Sequence, residues 1–292
     1  MSARILDGRA IARVVRAELK ERAAERARAL GHPAGLAIVH VGDHAASEVY
    51  RRRLAETAAA VGVGARVVSL PEDIKDAELR AALAALNADE RIQGILMELP
   101  LPEHLSARAV AETLDAAKDV DGISLVSGGN LFLRLPTFVP STCAAVLEIL
   151  DRSKIALAGR RAVVVGASDV VGKPLALLLL SRDATVTICH RATRNLASWT
   201  RQAEVLVVAV GKAGLITGDM VRPGATVVDV GINVGADGQV VGDVEFDGVS
   251  AVAGAITPVP GGVGPLTNLM LLAQCVAGPR LLQDGDGAHL AD

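Results

Sequence analysis

From Gly35 onward the chain alternates short apolar runs with segments of helical periodicity, and this alternation constrains its fold more than any other feature. GLAIVHV at Gly35, ARVVSL near Ala65 and GILMELP at Gly94 are the apolar runs of the first half. Between them Ala46, Val49, Tyr50, Leu54, Ala58 and Val61 share one helical face, and further helices are predicted over 77–86 and 107–114. Before this series, Ile11, Val14, Val15 and Leu19 predict an amphipathic helix over 8–30, with Asp7 as N-cap and Gly31 as stop. A second series follows a helix over 143–150: AVVVG at Ala162, a helix over 171–180, TVTICH at Thr185, EVLVVAVG at Glu204 and TVVDVG at Thr226. A last helix is predicted from Pro265 to about Val276. Apolar strands separated by helices of this length form parallel sheets covered on both faces.

The rest of the composition narrows the function. Aromatics are 2% of the 292 residues, namely Phe132, Phe138, Phe246, Trp199 and Tyr50. Without interleaved rings, and with a net charge of −3, the chain is read as no binder of nucleic acid. Its longest apolar runs, PLALLLL at Pro174 and VLVVAV at Val205, fall short of the roughly 18 residues that span a bilayer. Arg4, Asp7, Arg9 and Arg13 interrupt any signal-type stretch. Cys143, Cys189 and Cys275 are odd in number and lie in no metal-ligand spacing, so a cytoplasmic chain with reduced thiols and no metal is expected.

AVVVGASDVVGKP, residues 162–174, reads as strand, glycine turn and helix start. Gly166 permits the tight turn, Ser168 is small where backbone approaches a phosphate, and Gly172 allows close packing beside a positive helix N-terminus. It is not a regular GxGxxG, because Ser stands at the second glycine and the third falls one residue late. The next strand ends in CHRATRN, where an NAD enzyme usually places a carboxylate against the ribose hydroxyls. His190, Arg191 and Arg194 suit a 2′-phosphate instead, favouring NADP over NAD, while solvated surface arginines remain the plain alternative.

These segments, with ILDGRAIA near the N-terminus, VGDHAASEVY at Val41, GILMELPLP at Gly94, KDVDG at Lys118, AVGKAG at Ala209, VVDVGIN at Val227, VVGDV at Val240 and ITPVPGGVGPLT at Ile256, resemble the bifunctional methylenetetrahydrofolate dehydrogenase/methenyltetrahydrofolate cyclohydrolase family over nearly the whole chain. The resemblance implies an α/β fold of two α/β domains with parallel sheets flanking a cleft, the C-terminal one Rossmann-type. It places a folate-binding catalytic domain at 1–140, completed by the C-terminal helix at about 265–292, and an NADP-binding domain at 141–264. It implies a homodimer acting on a one-carbon derivative of tetrahydrofolate, with hydride transfer to NADP giving a methenyl cation and hydration giving formyl-tetrahydrofolate. Tyr50 matches the ring that stacks on the pterin, Asp121 the carboxylate that fixes its ring nitrogens, and Ser47, Leu99, Pro100, Pro260, Gly261 and Gly262 fall at substrate-binding positions. The implied cofactor positions are Gly166, Ala167, Ser168, Val171, Gly172, Lys173, His190 and Arg191, then Ala209, Val210 and Gly211, then Asp229, Gly231 and Ile232, and finally Gly264 and Thr267.

The chain departs from the family pattern at telling places. Four residues after its Tyr the family has a Lys, which manages protons in the cyclohydrolase step; here that position is Leu54, and Leu has no ionisable group. Before Leu-Pro the family usually has Gln; here it is Glu98, counted with Tyr50 and Asp121 as catalytic. Together the two changes move the pocket by about two charge units toward negative, an expected gain for a developing methenyl cation. After DVDG the family's His and Asn are replaced in Ile123, Ser124, Leu125, Val126, Ser127, Gly128, Gly129. Cys143 stands where Pro is common and reads as a small helix residue, not a nucleophile. The reading that follows is an NADP-dependent methylene-tetrahydrofolate dehydrogenase whose cyclohydrolase activity is weak or lost. Its rivals are the full bifunctional enzyme, with Glu98 or Arg53 taking the missing role, and a non-catalytic folate and nucleotide sensor.

Overall fold

The computed structural model describes residues 2–42, 45–235 and 237–279, apart from the side chains of 45–47. In chain order, β1 (Arg4–Ile5), α1 (Gly8–Leu30), β2 (Gly35–Val41), α2 (Ala45–Val61), β3 (Gly64–Leu70), α3 (Asp76–Ala88), β4 (Gly94–Met97), α4 (Ala107–Thr113) and α5 (Leu125–Leu133) come first. They are followed by α6 (Ser141–Arg152), β5 (Arg161–Val165), α7 (Gly172–Leu180), β6 (Thr185–Cys189), α8 (Leu196–Thr200), β7 (Val205–Val208) and β8 (Thr226–Asp229). The series ends with β9 (Asn233–Val234), β10 (Val240–Val241), α9 (Phe246–Ser250), β11 (Ala255–Ile256) and α10 (Gly264–Ala277). Two compact units result. One holds Val14–Ser141 with α10 from Asn268; the other holds the chain up to Arg13 with Thr142–Thr267. The first residues pack with this second unit because β1 pairs in parallel with β11, at Arg4↔Ala255 and Ile5↔Ile256.

In the first unit β2 runs between β3 and β4, all parallel, and is buried along its whole length. Ala37, Val39 and Val41 pack with Ile95 and Met97 of β4 and with Leu79, Leu83 and Leu86 of α3. Helix α1 begins where Asp7 Oδ1 accepts the N–H groups of Arg9 and Ala10, and stops at Gly31 with φ +77°. Its buried stripe is Ala12, Val15, Leu19 and Ala23, whereas Val14 is exposed, so the face is turned from the expected one.

Helix α2 is turned in the same way. Arg51, Leu54, Ala58 and Val61 are buried at three- and four-residue spacing, while Val49 is exposed. Beyond Ile123, where the family's His and Asn are replaced, the chain forms α5. Ser124 Oγ caps it by accepting the Ser127 N–H at 3.1 Å, and the buried Asp119 takes the N–H groups of Ile123 and Ser124.

The second unit is built on a parallel sheet of order β1-β11-β8-β7-β5-β6. Strands β7 and β8 are buried throughout, as an inner parallel strand covered on both faces must be. Strand β5 has β6 on one side and β7 on the other, so successive connections leave it in opposite directions, and a crevice opens at its carboxyl end. The antiparallel pair β9 and β10 stands outside this sheet. All three cysteines are buried, and among the described residues no helix is long and apolar enough to cross a membrane.

Candidate active site

The first unit brings Tyr50, Glu98 and Asp121 together. Glu98 directly follows β4, its N–H donating to Val39 O at 2.9 Å. Asp121 lies two residues beyond the parallel bridge of Ile95 with Asp119, and so at the same carboxyl end of the sheet. Gly122 has φ +62°, and a Cβ there would meet Phe138 O at 2.8 Å, so the DVDG turn needs its glycine.

The electrostatics join the three side chains. Burial pushes the Tyr50 hydroxyl well above its usual value, and the charges of Asp121 and Glu98 push it further. Tyr50 is thus a neutral, partly exposed ring, suited to stacking and not to base chemistry. Burial raises Asp121 to about 6, against the pull of the Ser141 N–H, which donates to its Oδ1 at 2.8 Å, and with a further push from Asp119. Leu99 and Pro100 are exposed beside Glu98. Ser47 falls on a residue whose side chain lies outside those described.

The charge argument made for Glu98 needs correction. Arg51, buried on the inner face of α2, donates from Nη1 to Glu98 Oε2 at 2.9 Å. The guanidinium balances the carboxylate, so the pocket is not two charge units more negative. The cation comes from Arg51, one turn before Leu54 on the same face, and not from Arg53, which is exposed. Sequence reasoning missed Arg51 because an Arg next to two others looks like a solvated run. Leu54 itself is wholly buried.

In the second unit a concave site of about 640 Å³ lies at the carboxyl ends of β5, β6 and β7. Gly166, Ala167 and Ser168 line it after β5, His190 and Arg191 after β6, and Ala209 and Val210 after β7. Thr193, Leu196, Lys212 and Leu215 also line it; Thr193 and Lys212 fall within the runs CHRATRN and AVGKAG but were not singled out there. The turn is tight: a Cβ on Gly166 would sit 2.2 Å from Ala209 O, and one on Gly172 would sit 2.1 Å from Gly166 O. Ser168 Oγ accepts the N–H groups of Val171 and Gly172 at 3.2 and 3.4 Å, holding the start of α7. Lys173 is paired with Asp169. His190 Nδ1 accepts from the Ala192 N–H at 3.2 Å, and Arg194 is exposed and not among the lining residues. A glycine cradle at a helix start with Arg191 and Lys212 beside it fits a dinucleotide with an additional phosphate.

Asp229, Gly231 and Gly211 are not among the residues that line this site. Asp229 accepts the N–H groups of Gly231, Asp243 and Val244 at 2.9 to 3.1 Å, so its carboxylate faces backbone amides within the protein. Burial raises it to about 6, and neighbouring Asp243 adds to the rise. Asp243, fully buried, takes the N–H groups of Val210, Gly211 and Lys212 at 2.7, 3.0 and 2.8 Å and the Asn233 amide at 2.9 Å. A Cβ on Gly231 would meet Asp243 Cγ at 2.3 Å. Ile232 is exposed and outside the lining. Gly261 has φ +121°, Gly262 packs against Pro258 O, and Gly264 and Thr267 open α10 after Pro260. Asp243→Ala is expected to cost about 3 kcal/mol of stability by stranding buried N–H donors. It should weaken NADP binding about 10- to 100-fold by releasing the loop. Thermal unfolding and calorimetric titration check both, and unchanged NADP affinity would refute the brace.

Residues 6–121 match the family model described as tetrahydrofolate dehydrogenase/cyclohydrolase, catalytic domain, and residues 140–280 match its NAD(P)-binding domain. The bifunctional protein FolD of Chloroflexus aurantiacus is 48% identical over 280 residues, 96% of this chain and 98% of that protein. That of Bordetella avium is 50% identical over 272 residues, 93% of this chain and 95% of that protein. The structure of the Campylobacter jejuni bifunctional enzyme FolD has a TM-score of 0.92 at 42% identity, covering 94% of this chain and 98% of the other. The Trypanosoma brucei methylenetetrahydrofolate dehydrogenase-cyclohydrolase, solved with NADP and an inhibitor, has a TM-score of 0.88 at 37% identity, covering 94% and 97%.

Proposed function

Because the chain belongs to the tetrahydrofolate dehydrogenase/cyclohydrolase family, we propose that it oxidises methylene-tetrahydrofolate with NADP and hydrates the methenyl product to formyl-tetrahydrofolate. The observation that carries this reading is the grouping of Tyr50, Glu98 and Asp121 at one sheet end of the catalytic domain. The nucleotide, when bound, accepts the hydride. Tyr50 offers a ring face to the pterin, and Asp121 offers an acceptor to its N–H groups. The glycine turn, Arg191 and Lys212 hold the phosphates, which favours NADP. At about half identity, relatives named bifunctional support the complete cycle better than loss of its second step.

A second reading, dehydrogenase without cyclohydrolase, is favoured by Leu54 alone, which puts a buried apolar side chain where the family pattern has Lys. One experiment separates them: mix enzyme, methylene-tetrahydrofolate and NADP, and follow reduced nicotinamide and methenyl species separately. NADPH without accumulating methenyl supports the cycle, NADPH with it supports the second reading, and absence of NADPH from folded protein refutes both. Under the second reading Leu54→Lys raises methenyl hydrolysis at least about 10-fold, a gain of about 1.4 kcal/mol in transition-state stabilisation. An ammonium in that fully buried position is also expected to cost about 2 to 3 kcal/mol of stability, so rates are taken per folded molecule.

A further inference from the structure

We propose that Arg51 is a positioning residue that aims Glu98 at the substrate. It rests on the reading of this cluster as the folate site. Among the described residues the Glu98 side chain uses only one oxygen: Oε2 accepts from Arg51 Nη1 at 2.9 Å, while Oε1 is buried and has no hydrogen-bond partner there. A buried carboxylate oxygen without a donor is costly, and native proteins keep one where a ligand donor arrives. The side chains of Arg51 and Glu98 are only 8% and 11% exposed, so neither swings freely in solvent. Arg51 is also the charged member of an otherwise apolar stripe with Leu54, Ala58 and Val61, which fixes its stem by packing. With Oε2 held, Oε1 is the Glu98 oxygen left for a ligand donor, and the Tyr50 hydroxyl feels the Glu98 charge.

The ligand chemistry this selects is an N–H donor at the edge of a flat heterocycle whose face lies on Tyr50. A pterin amide or amino group is such a donor. Glutamine at 98 would not serve equally, because its single oxygen would turn to the guanidinium and present an N–H to the substrate. Lysine at 51 keeps the charge but offers a point contact in place of a planar one.

The test uses the full chain as wild type, Arg51→Lys, Arg51→Met and the double variant Arg51→Met with Glu98→Gln. For each, kcat and KM for methylene-tetrahydrofolate, KM for NADP, thermal stability and the Kd of tetrahydrofolate by calorimetry are measured. Arg51→Met is expected to raise the folate KM and Kd at least about 10-fold, with kcat within about 3-fold and the NADP KM unchanged. Arg51→Lys recovers part of this loss. The double variant leaves no unpaired buried charge and regains thermal stability, yet keeps the raised KM. A folded Arg51→Met with wild-type KM and Kd overturns the proposal, as does a double variant whose KM recovers together with its stability. If Arg51→Met does not fold, Arg51→Lys and the double variant decide by the same criteria. Wild-type protein that binds tetrahydrofolate but forms no NADPH would sink the proposed reaction and leave the Kd comparison to judge Arg51.

Discussion

Gly172→Ala is expected to reduce NADP affinity by at least about 100-fold, because the substitution closes the turn proposed to receive the phosphates. A Cβ at Gly172 would lie 2.1 Å from Gly166 O, 2.5 Å from Gly166 C and 2.8 Å from Ala167 N. All three are backbone atoms, so no side chain can rotate away, and either the turn opens or α7 withdraws. Opening the turn means moving Gly166, whose N–H is bonded to Cys189 O and whose φ of +127° is out of reach for other residues without strain. Withdrawing α7 breaks its hold on Ser168 Oγ and exposes Leu175, Leu178 and Leu179, all buried. A stability loss of about 2 to 4 kcal/mol accompanies either outcome. The proposed folate cluster of Tyr50, Glu98 and Asp121 belongs to the other unit, so tetrahydrofolate binding is expected to persist. Calorimetric titration with each ligand and thermal unfolding with and without NADP give the answer. Wild-type NADP affinity in Gly172→Ala would remove this turn from the cofactor site.

The contrast between Gly172 and Arg51 explains which parts of the molecule were readable beforehand. Strands such as β2, β7 and β8 are legible because an inner parallel strand is apolar on both faces and stands out as an unbroken run. The glycine turn is legible because its geometry is local: a strand, a glycine that must turn, and a helix start within a dozen residues. Arg51 was not legible because its burial depends on Glu98, 47 residues away, and nothing near Arg51 announces that partner. The bracing role of Asp243, within the run VVGDV, was not legible for the same reason, since the loop it braces lies 31 to 33 residues earlier. Strands β1 and β11 contribute two residues each to a ladder, too few to carry a period. Helix α5 is started by Ser124 and Asp119 rather than by a hydrophobic stripe, and Gly128 and Gly129 inside it argue against a helix on propensity alone.

Asp121→Asn is expected to lower kcat/KM for methylene-tetrahydrofolate by about 100- to 1000-fold, and the same residue should impose a pH dependence whose sign is fixed by its environment. Its carboxyl rises from 3.8 to about 6 on folding, burial being the largest cause. A carboxyl raised in this direction holds a proton more tightly in the folded than in the unfolded chain. Its favourable contribution is therefore full below about pH 4 and is lost as pH climbs through about 6, for a total of about 3 kcal/mol. In the proposed role, ionised Asp121 is the species that accepts from a pterin N–H, so activity is expected to move the opposite way, rising as pH passes through about 6. The site thus gives up stability in the range where it gains function. Asp229, also raised to about 6, adds a slope of the same sign from the other unit and persists in the variant. Urea unfolding from pH 4.5 to 7.5 should then show a shallower, not absent, decline in Asp121→Asn. Its residual activity should lose the rise near pH 6. An unchanged stability slope in the variant would mean that Asp121 is not proton-linked to folding, and an unchanged kcat/KM would remove it from the folate site.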